Sequence, residues 1–226
     1  MLNIPKNINA IIFDFDYTLV DSSSASIECI SYALKQMKLP VPSVESIKQT
    51  IGLSLEDTLK ALCRIDDPAS AGEFRRLFVV RADEVMLERI FFLGGVKQLL
   101  IDLHRRKFGL AIVSNKYRYR IEAFLSRENV KWAIDVIVGF EDTPIPKPDP
   151  SGLLMAMEKL GRTRDQVIYV GDSRVDAETA QRSNVPFIAV LTGVTHKEDF
   201  VHFSPYRIID NLQELAQCLP TQTPTE

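Results

Sequence analysis

Cysteine is scarce in this 226-residue chain: there are three, Cys29, Cys63 and Cys218, too scattered for a metal-type cluster. An odd count without a leader argues against a disulfide framework. It points to a reducing, cytoplasmic setting in which each thiol is a small core hydrophobe. The first residues, Met1-Leu-Asn-Ile-Pro-Lys6, lack the charged head and apolar run of a targeting segment. No apolar stretch is long enough to span a bilayer, so no membrane partner is expected. Positive charge is not in excess. The net charge of -3 gives no support for general attraction to nucleic acid or to a membrane surface. There is no internal repeat. His104, His196 and His202 are isolated and read as surface or capping residues, and Trp132 as a packing residue. Lys116-Tyr-Arg-Tyr-Arg120 alternates basic and aromatic residues, but it opens a predicted helix and reads as a solvated face.

What is present is an ordinary globular balance, 46% hydrophobic and 25% charged. The length suits one large α/β domain, or a core with a smaller insertion. Apolar runs recur at 10–15, 108–114, 136–138, 167–170 and 186–190, with a last short one at 207–210. Runs this apolar fit central strands of a parallel sheet covered on both faces. Helical patterns fall between them at 95–106, 118–128, 151–160 and 176–183. The alternation predicts right-handed crossovers and a doubly wound parallel sheet. Residues 21–92 break the rhythm. They carry helical patterns at 25–37, 44–50, 55–64 and 73–88, punctuated by Pro40, Pro42, Gly52 and Pro68, and no convincing strand. About 70 residues is long for a crossover, so the stretch reads as a helical insertion. The tail 220–226 reads as frayed.

Four short motifs carry the candidate chemistry, each at the carboxyl end of a predicted strand. In Asp14-Phe-Asp-Tyr-Thr-Leu19, residues two apart at a strand end point the same way, so Asp14 and Asp16 can share a site. Two carboxylates that close repel each other, and a divalent cation relieves the repulsion. Val113-Ser-Asn-Lys116 offers the Ser114 hydroxyl and free N–H groups at a helix start, an anion site or a plain N-cap. In Ile145-Pro-Lys-Pro-Asp-Pro150, prolines stiffen the loop around Lys147, whose compact ammonium suits phosphate. In Val170-Gly-Asp-Ser-Arg-Val-Asp176, Gly171 permits a tight exit and brings Asp172 near Asp176 at the next helix start. As a set, several carboxylates, a hydroxyl and a lysine suit Mg²⁺ bridging protein oxygens and a phosphate.

The ordered set Asp-x-Asp-x-Thr, strand-Ser-Asn, Lys-Pro and Gly-Asp-Ser…Asp resembles the haloacid-dehalogenase-like hydrolases, with one residue fewer than usual between Gly171 and Asp176. The insertion resembles that superfamily's small α-helical cap. Asp14 to Ser22 and Gly94-Gly-Val96 resemble its phosphoglycolate phosphatase and pyrophosphatase branch. The resemblance implies a core of residues 1–20 plus 93–226 and a cap of residues 21–92. It implies a Mg²⁺-dependent phosphatase acting on a small phosphorylated metabolite, possible substrates being phosphoglycolate, pyrophosphate or nucleotide and sugar monophosphates.

By position, Asp14 is then the nucleophile and Asp16 the general acid/base. Thr18 supports the loop, Ser114 and the Asn115 backbone hold phosphate, and Lys147 steadies the nucleophile and the phosphoryl group. Asp14, the Asp16 carbonyl and Asp172 bind the metal, with Asp176 supporting its shell. The acid at position 16 argues against carbon–halogen cleavage. Leu55, where sugar-phosphate mutases carry Arg, argues against a mutase. Tyr17, where family members have Gly, requires a negative φ and would crowd the entrance. Tyr17 and the loop Gly52-Leu53-Ser54 are the specificity candidates. A silent phosphate-binding scaffold on the same fold is the non-enzymatic alternative, and the sequence sets no oligomeric state.

Overall fold

The computed structural model describes residues 7–219. The readings of the first six residues and of the tail 220–226 lie outside them. Six parallel strands form one sheet: β1 (Ala10–Phe13), β4 (Gly109–Val113), β5 (Val136–Val138), β6 (Val167–Gly171), β7 (Phe187–Val190) and β8 (Arg207–Ile209). Their order across the sheet is β5-β4-β1-β6-β7-β8. The chain therefore runs to one side of β1 and then to the other, and β1 lies at the point where the direction reverses. The carboxyl edge there is where open α/β sheets hold ligands.

The strands are apolar on both faces because both faces are covered. Ile11, Phe13, Ile112, Ile168 and Val170 pack on one side with Leu99, Leu103, Ile121 and Phe124, from α5 (Val96–Arg105) and α6 (Arg118–Arg127). Their alternates Ile12, Ala111, Val113 and Tyr169 pack on the other side with Leu153 and Ala156 of α7 (Ser151–Leu160) and Ala177 and Ala180 of α8 (Arg174–Ser183). This is the period of two expected of a strand buried between two helical layers.

Between the first and second core strands come α1 (Ser23–Gln36), α2 (Val44–Lys48), α3 (Leu55–Cys63) and α4 (Pro68–Val85). Helix α1 packs on α4, and Cys29, Ile30, Leu34, Phe74 and Phe78 join the same apolar cluster as Phe15 and Leu19 of the sheet's edge. Pro68 does not break this segment. It is the first residue of α4, where its missing N–H costs nothing, and the Asp67 side chain caps the helix by accepting from Ser70 N at 2.9 Å. The segment is also not free of strand. β2 (Val20–Asp21) pairs antiparallel with β3 (Phe91–Phe92), tying the two ends of the insertion together. A two-residue ladder is too short to show a period. Phe124 seals this junction, meeting the rings of Phe15 and Phe92 edge-on at 5.7 and 4.8 Å between centroids.

Trp132 is more exposed than a packing residue, at 57%. Its indole N–H donates to Asn129 O, and its ring meets His104 edge-on. No helix among the described residues is long and apolar enough to cross a membrane.

Candidate active site

Asp14 follows β1 directly and continues its ladder, donating its N–H to Val170 O at 2.9 Å. The chain then folds back within a few residues. Leu19 N and Val20 N both donate to Phe15 O, and Tyr17 N donates to Val20 O. This reversal puts Tyr17 at φ 62, in the left-handed region, contrary to the negative φ expected of it. Thr192 Oγ1 donates to Tyr17 O at 2.6 Å and holds the turn. The Tyr17 phenol is buried beside Asp21 and Ser23. Burial, with Asp21 second, pushes its pKa up to about 12.

Lys147 enters from the proline-rich loop. Its Nζ donates to Asp14 Oδ1 at 2.6 Å and Asp176 Oδ1 at 2.7 Å, and lies 3.0 Å from Tyr169 Oη. Burial alone would lower its pKa, but Asp14 and Asp176 beside it hold the ammonium well above the usual lysine range. Asp176 is placed by helix chemistry. It sits at the third position of α8 in a capping box, its Oδ2 accepting from Ser173 N and Oγ while Ser173 Oγ accepts from Asp176 N. Its Oδ1 also accepts from Tyr169 Oη at 2.7 Å. Asp172 Oδ1 accepts from Thr18 Oγ1 at 3.0 Å, which gives Thr18 its supporting contact.

One carboxylate oxygen each from Asp14, Asp172 and Asp176 lie within 4.8 Å of one another, all buried. Burial, then its neighbour Asp176, raises the Asp172 pKa well above the carboxylate range. Burial likewise raises Asp14, to about 7, against the pull of Lys147. One lysine does not neutralise three buried acids, and a divalent cation fits this donor set. The oxygens Asp14 Oδ2 and Asp172 Oδ2 receive no hydrogen bond among the described residues. Gly193 keeps the second one clear, because a Cβ there would lie 1.9 Å from Asp172 Oδ2.

Asp16 stands apart from this group. Its carboxylate turns to Ser22, whose hydroxyl donates to Oδ1, and to Lys116, whose Nζ is 3.0 Å from both oxygens. Lys116 was expected on a solvated face; instead its side chain is 7% exposed and that of Asp16 10%. It lies two residues beyond Ser114 and lines the same cavity. Arg120, from the same run, is also buried and reaches Asp83 and Val79 O across the interface with α4.

Ser114 is buried at the end of β4, its N–H donating to Val138 O. The Asn115 side chain does more than a backbone role would need. Its Oδ1 accepts from Lys147 N at 2.9 Å, and its Nδ2 donates to Lys147 O and to Gly52 O at 3.3 and 3.0 Å. It thus joins the lysine loop to the loop of the helical insertion. Gly52 and Leu53 line a cavity of about 60 Å³ that also meets Asp16, Ser114 and Asn115. Ser54 instead caps α3 by accepting from Asp57 N, and Tyr17 is not among the lining residues.

The haloacid dehalogenase-like hydrolase profile matches residues 11–190. The chain belongs to the haloacid dehalogenase-like hydrolases. This hydrolase is an enzyme of the phosphatase class. It is 28% identical to the phosphoglycolate phosphatase of Salmonella typhi, over 96% of this chain and 95% of that one. It is also 28% identical to the phosphoglycolate phosphatase of Escherichia coli O157:H7, over 95% and 93%. A solved haloacid dehalogenase-like hydrolase from Bacteroides fragilis superposes with a TM-score of 0.90 at 35% identity, covering 92% of this chain and 99% of that one.

Proposed function

We propose that this hydrolase is a Mg²⁺-dependent phosphatase of a small phosphorylated metabolite, with phosphoglycolate the leading substrate, working through an aspartyl-phosphate on Asp14. The observation that carries the reading is Asp14 itself. One of its oxygens is fixed by Lys147, while the other is uncommitted at the sheet's switch point beside Asp172 and Asp176.

Asp14 attacks phosphorus in line, its O–P bond forming as the ester P–O bond breaks. Lys147 meets the charge on the phosphoryl oxygens and keeps the nucleophile aimed. Ser114 and Asn115 contribute the hydroxyl and N–H groups of an anion site. Asp16 gives a proton to the leaving oxygen, then takes one from the water that hydrolyses the acyl phosphate. To do so it must turn from Lys116 toward the ester. Asp14, Asp172 and the Asp16 carbonyl would hold the magnesium ion, with Asp176 beside them. Bound there, the ion would supply positive charge against the phosphoryl oxygens and offset the crowded acids.

We assign residues 21–92 as a cap over a core of residues 1–20 and 93–226. The β2–β3 pair lies at its two hinges, and Gly52 and Leu53 face the leaving group. Leu55 among the cavity walls supports hydrolysis over mutase chemistry, since an apolar side chain cannot hold a second phosphate. The free Cys29, Cys63 and Cys218 suit a cytoplasmic setting. The test is phosphate release from phosphoglycolate and a panel of other phosphate monoesters with Mg²⁺ and with EDTA, for wild type and D14N. Mg²⁺-dependent release that D14N abolishes supports the assignment; equal release by D14N rejects it.

A further inference from the structure

Lys116 is a buried ammonium that donates to the two oxygens of Asp16, at 3.0 Å each, with the Phe15 ring behind it at 5.9 Å. It lines the small cavity beyond Asp16. Two cations, Lys116 and Arg120, line that cavity against one acid, Asp16. Arg120 is already spoken for by Asp83 and Val79 O. Much of the remaining wall is apolar, with Ile30, Leu53, Phe78 and Phe140. The site therefore offers one anion-seeking group in a low-dielectric pocket.

The proposed acid/base role of Asp16 creates a conflict. When its carboxyl turns to the ester oxygen, Lys116 is left buried without a counter-charge, which is strongly unfavourable. An anion on the substrate removes the conflict. We infer that Lys116 is the specificity-determining residue for the leaving group and receives a carboxylate carried by the substrate's alcohol portion, the place Asp16 fills in the free enzyme. This inference rests on the phosphatase reading and names its substrate class: phosphate monoesters of small hydroxy acids. A cavity of about 60 Å³ beside Lys116 gives such an acid a place to sit. Substrate carboxylate and Asp16 exchange places on the ammonium, so Asp16 is released only when the correct leaving group is bound.

The experiment compares kcat/KM for phosphoglycolate and ethylene glycol monophosphate, which differ by a carboxylate against a hydroxymethyl group, in the full-length protein with Mg²⁺. Wild type is expected to prefer phosphoglycolate by about 10- to 100-fold, the range of one charged hydrogen bond. K116M should shrink that ratio about tenfold or more, chiefly through KM for phosphoglycolate, and K116R should retain most of it. A wild-type ratio near one, or a ratio unchanged in K116M, overturns the inference. If K116M does not fold, K116Q takes its place, with the same loss of preference expected and an unchanged ratio again overturning the inference. Comparable hydrolysis of both esters would sink this inference alone and leave the phosphatase reading standing. Hydrolysis of neither ester, nor of any monoester in the panel, would remove both.

Discussion

Lys147 Nζ sits 2.6 Å from Asp14 Oδ1, joining residues 133 positions apart in an ion pair with both side chains only 4% exposed. The same ammonium holds Asp176, so one lysine fixes two of the three clustered acids.

Replacing Lys147 should therefore damage stability and chemistry together. K147M leaves Asp14 and Asp176 buried without their cation, and the loss should approach the ~3–5 kcal/mol typical of breaking a buried pair. Chemical denaturation with Mg²⁺ absent checks the stability. Phosphate release checks the activity, which should fall at least about 100-fold. Unchanged stability would mean that the pair contributes little.

Metal and protons should compete for Asp14. Burial raises its folded pKa to about 7, above the 3.8 of the free side chain. Between those values the metal-free folded protein holds a proton that the unfolded chain does not, so this group's contribution to stability declines as pH rises through the window. Mg²⁺ requires the carboxylate, so its stabilising effect should be larger at about pH 8 than at about pH 5.5. Thermal melts with Mg²⁺ and with EDTA at both values test this. An equal shift at both pH values contradicts it.

The glycines of the site are there for clearance. G193A would drive a methyl group to 1.9 Å from Asp172 Oδ2, and G171A would place one 2.5 Å from Asp176 Cβ. Both should weaken Mg²⁺ binding and activity, as read from the Mg²⁺ concentration that gives half-maximal phosphate release. A wild-type Mg²⁺ response in G193A would show that Asp172 Oδ2 is not needed.

Asn115 couples the lysine loop to Gly52 through a single side chain. N115A should raise KM and lower kcat together, because it loosens Lys147 and the insertion's loop at once. Steady-state kinetics on the best substrate decides. An effect on KM alone would confine its role to the loop at Gly52.

The sheet and the placement of the four motifs were legible because strands buried on both faces announce themselves as apolar runs, and the loops that follow them must meet at one edge. Asp14, Lys147 and Asp172 followed from that logic. What the chain concealed is what depends on long-range geometry. Lys116 sits in a basic-aromatic alternation that locally resembles an exposed face, yet its partner is 100 residues away. Tyr17 adopts a positive φ because the loop reverses and Thr192 anchors its carbonyl, 175 residues on. The β2–β3 ladder is two residues long, below any detectable period. Helix α4 began earlier than its apolar pattern because its start is set by Asp67 and Pro68 rather than by hydrophobic spacing.

The most direct test of the account is to catch the phosphoryl group on the protein. Rapid acid quench of wild type during turnover of its best substrate, followed by peptide mass spectrometry, should find one phosphoryl group on the peptide containing Asp14, and none in D14N. A phosphoryl group on a different residue, or continued turnover by D14N, would contradict it.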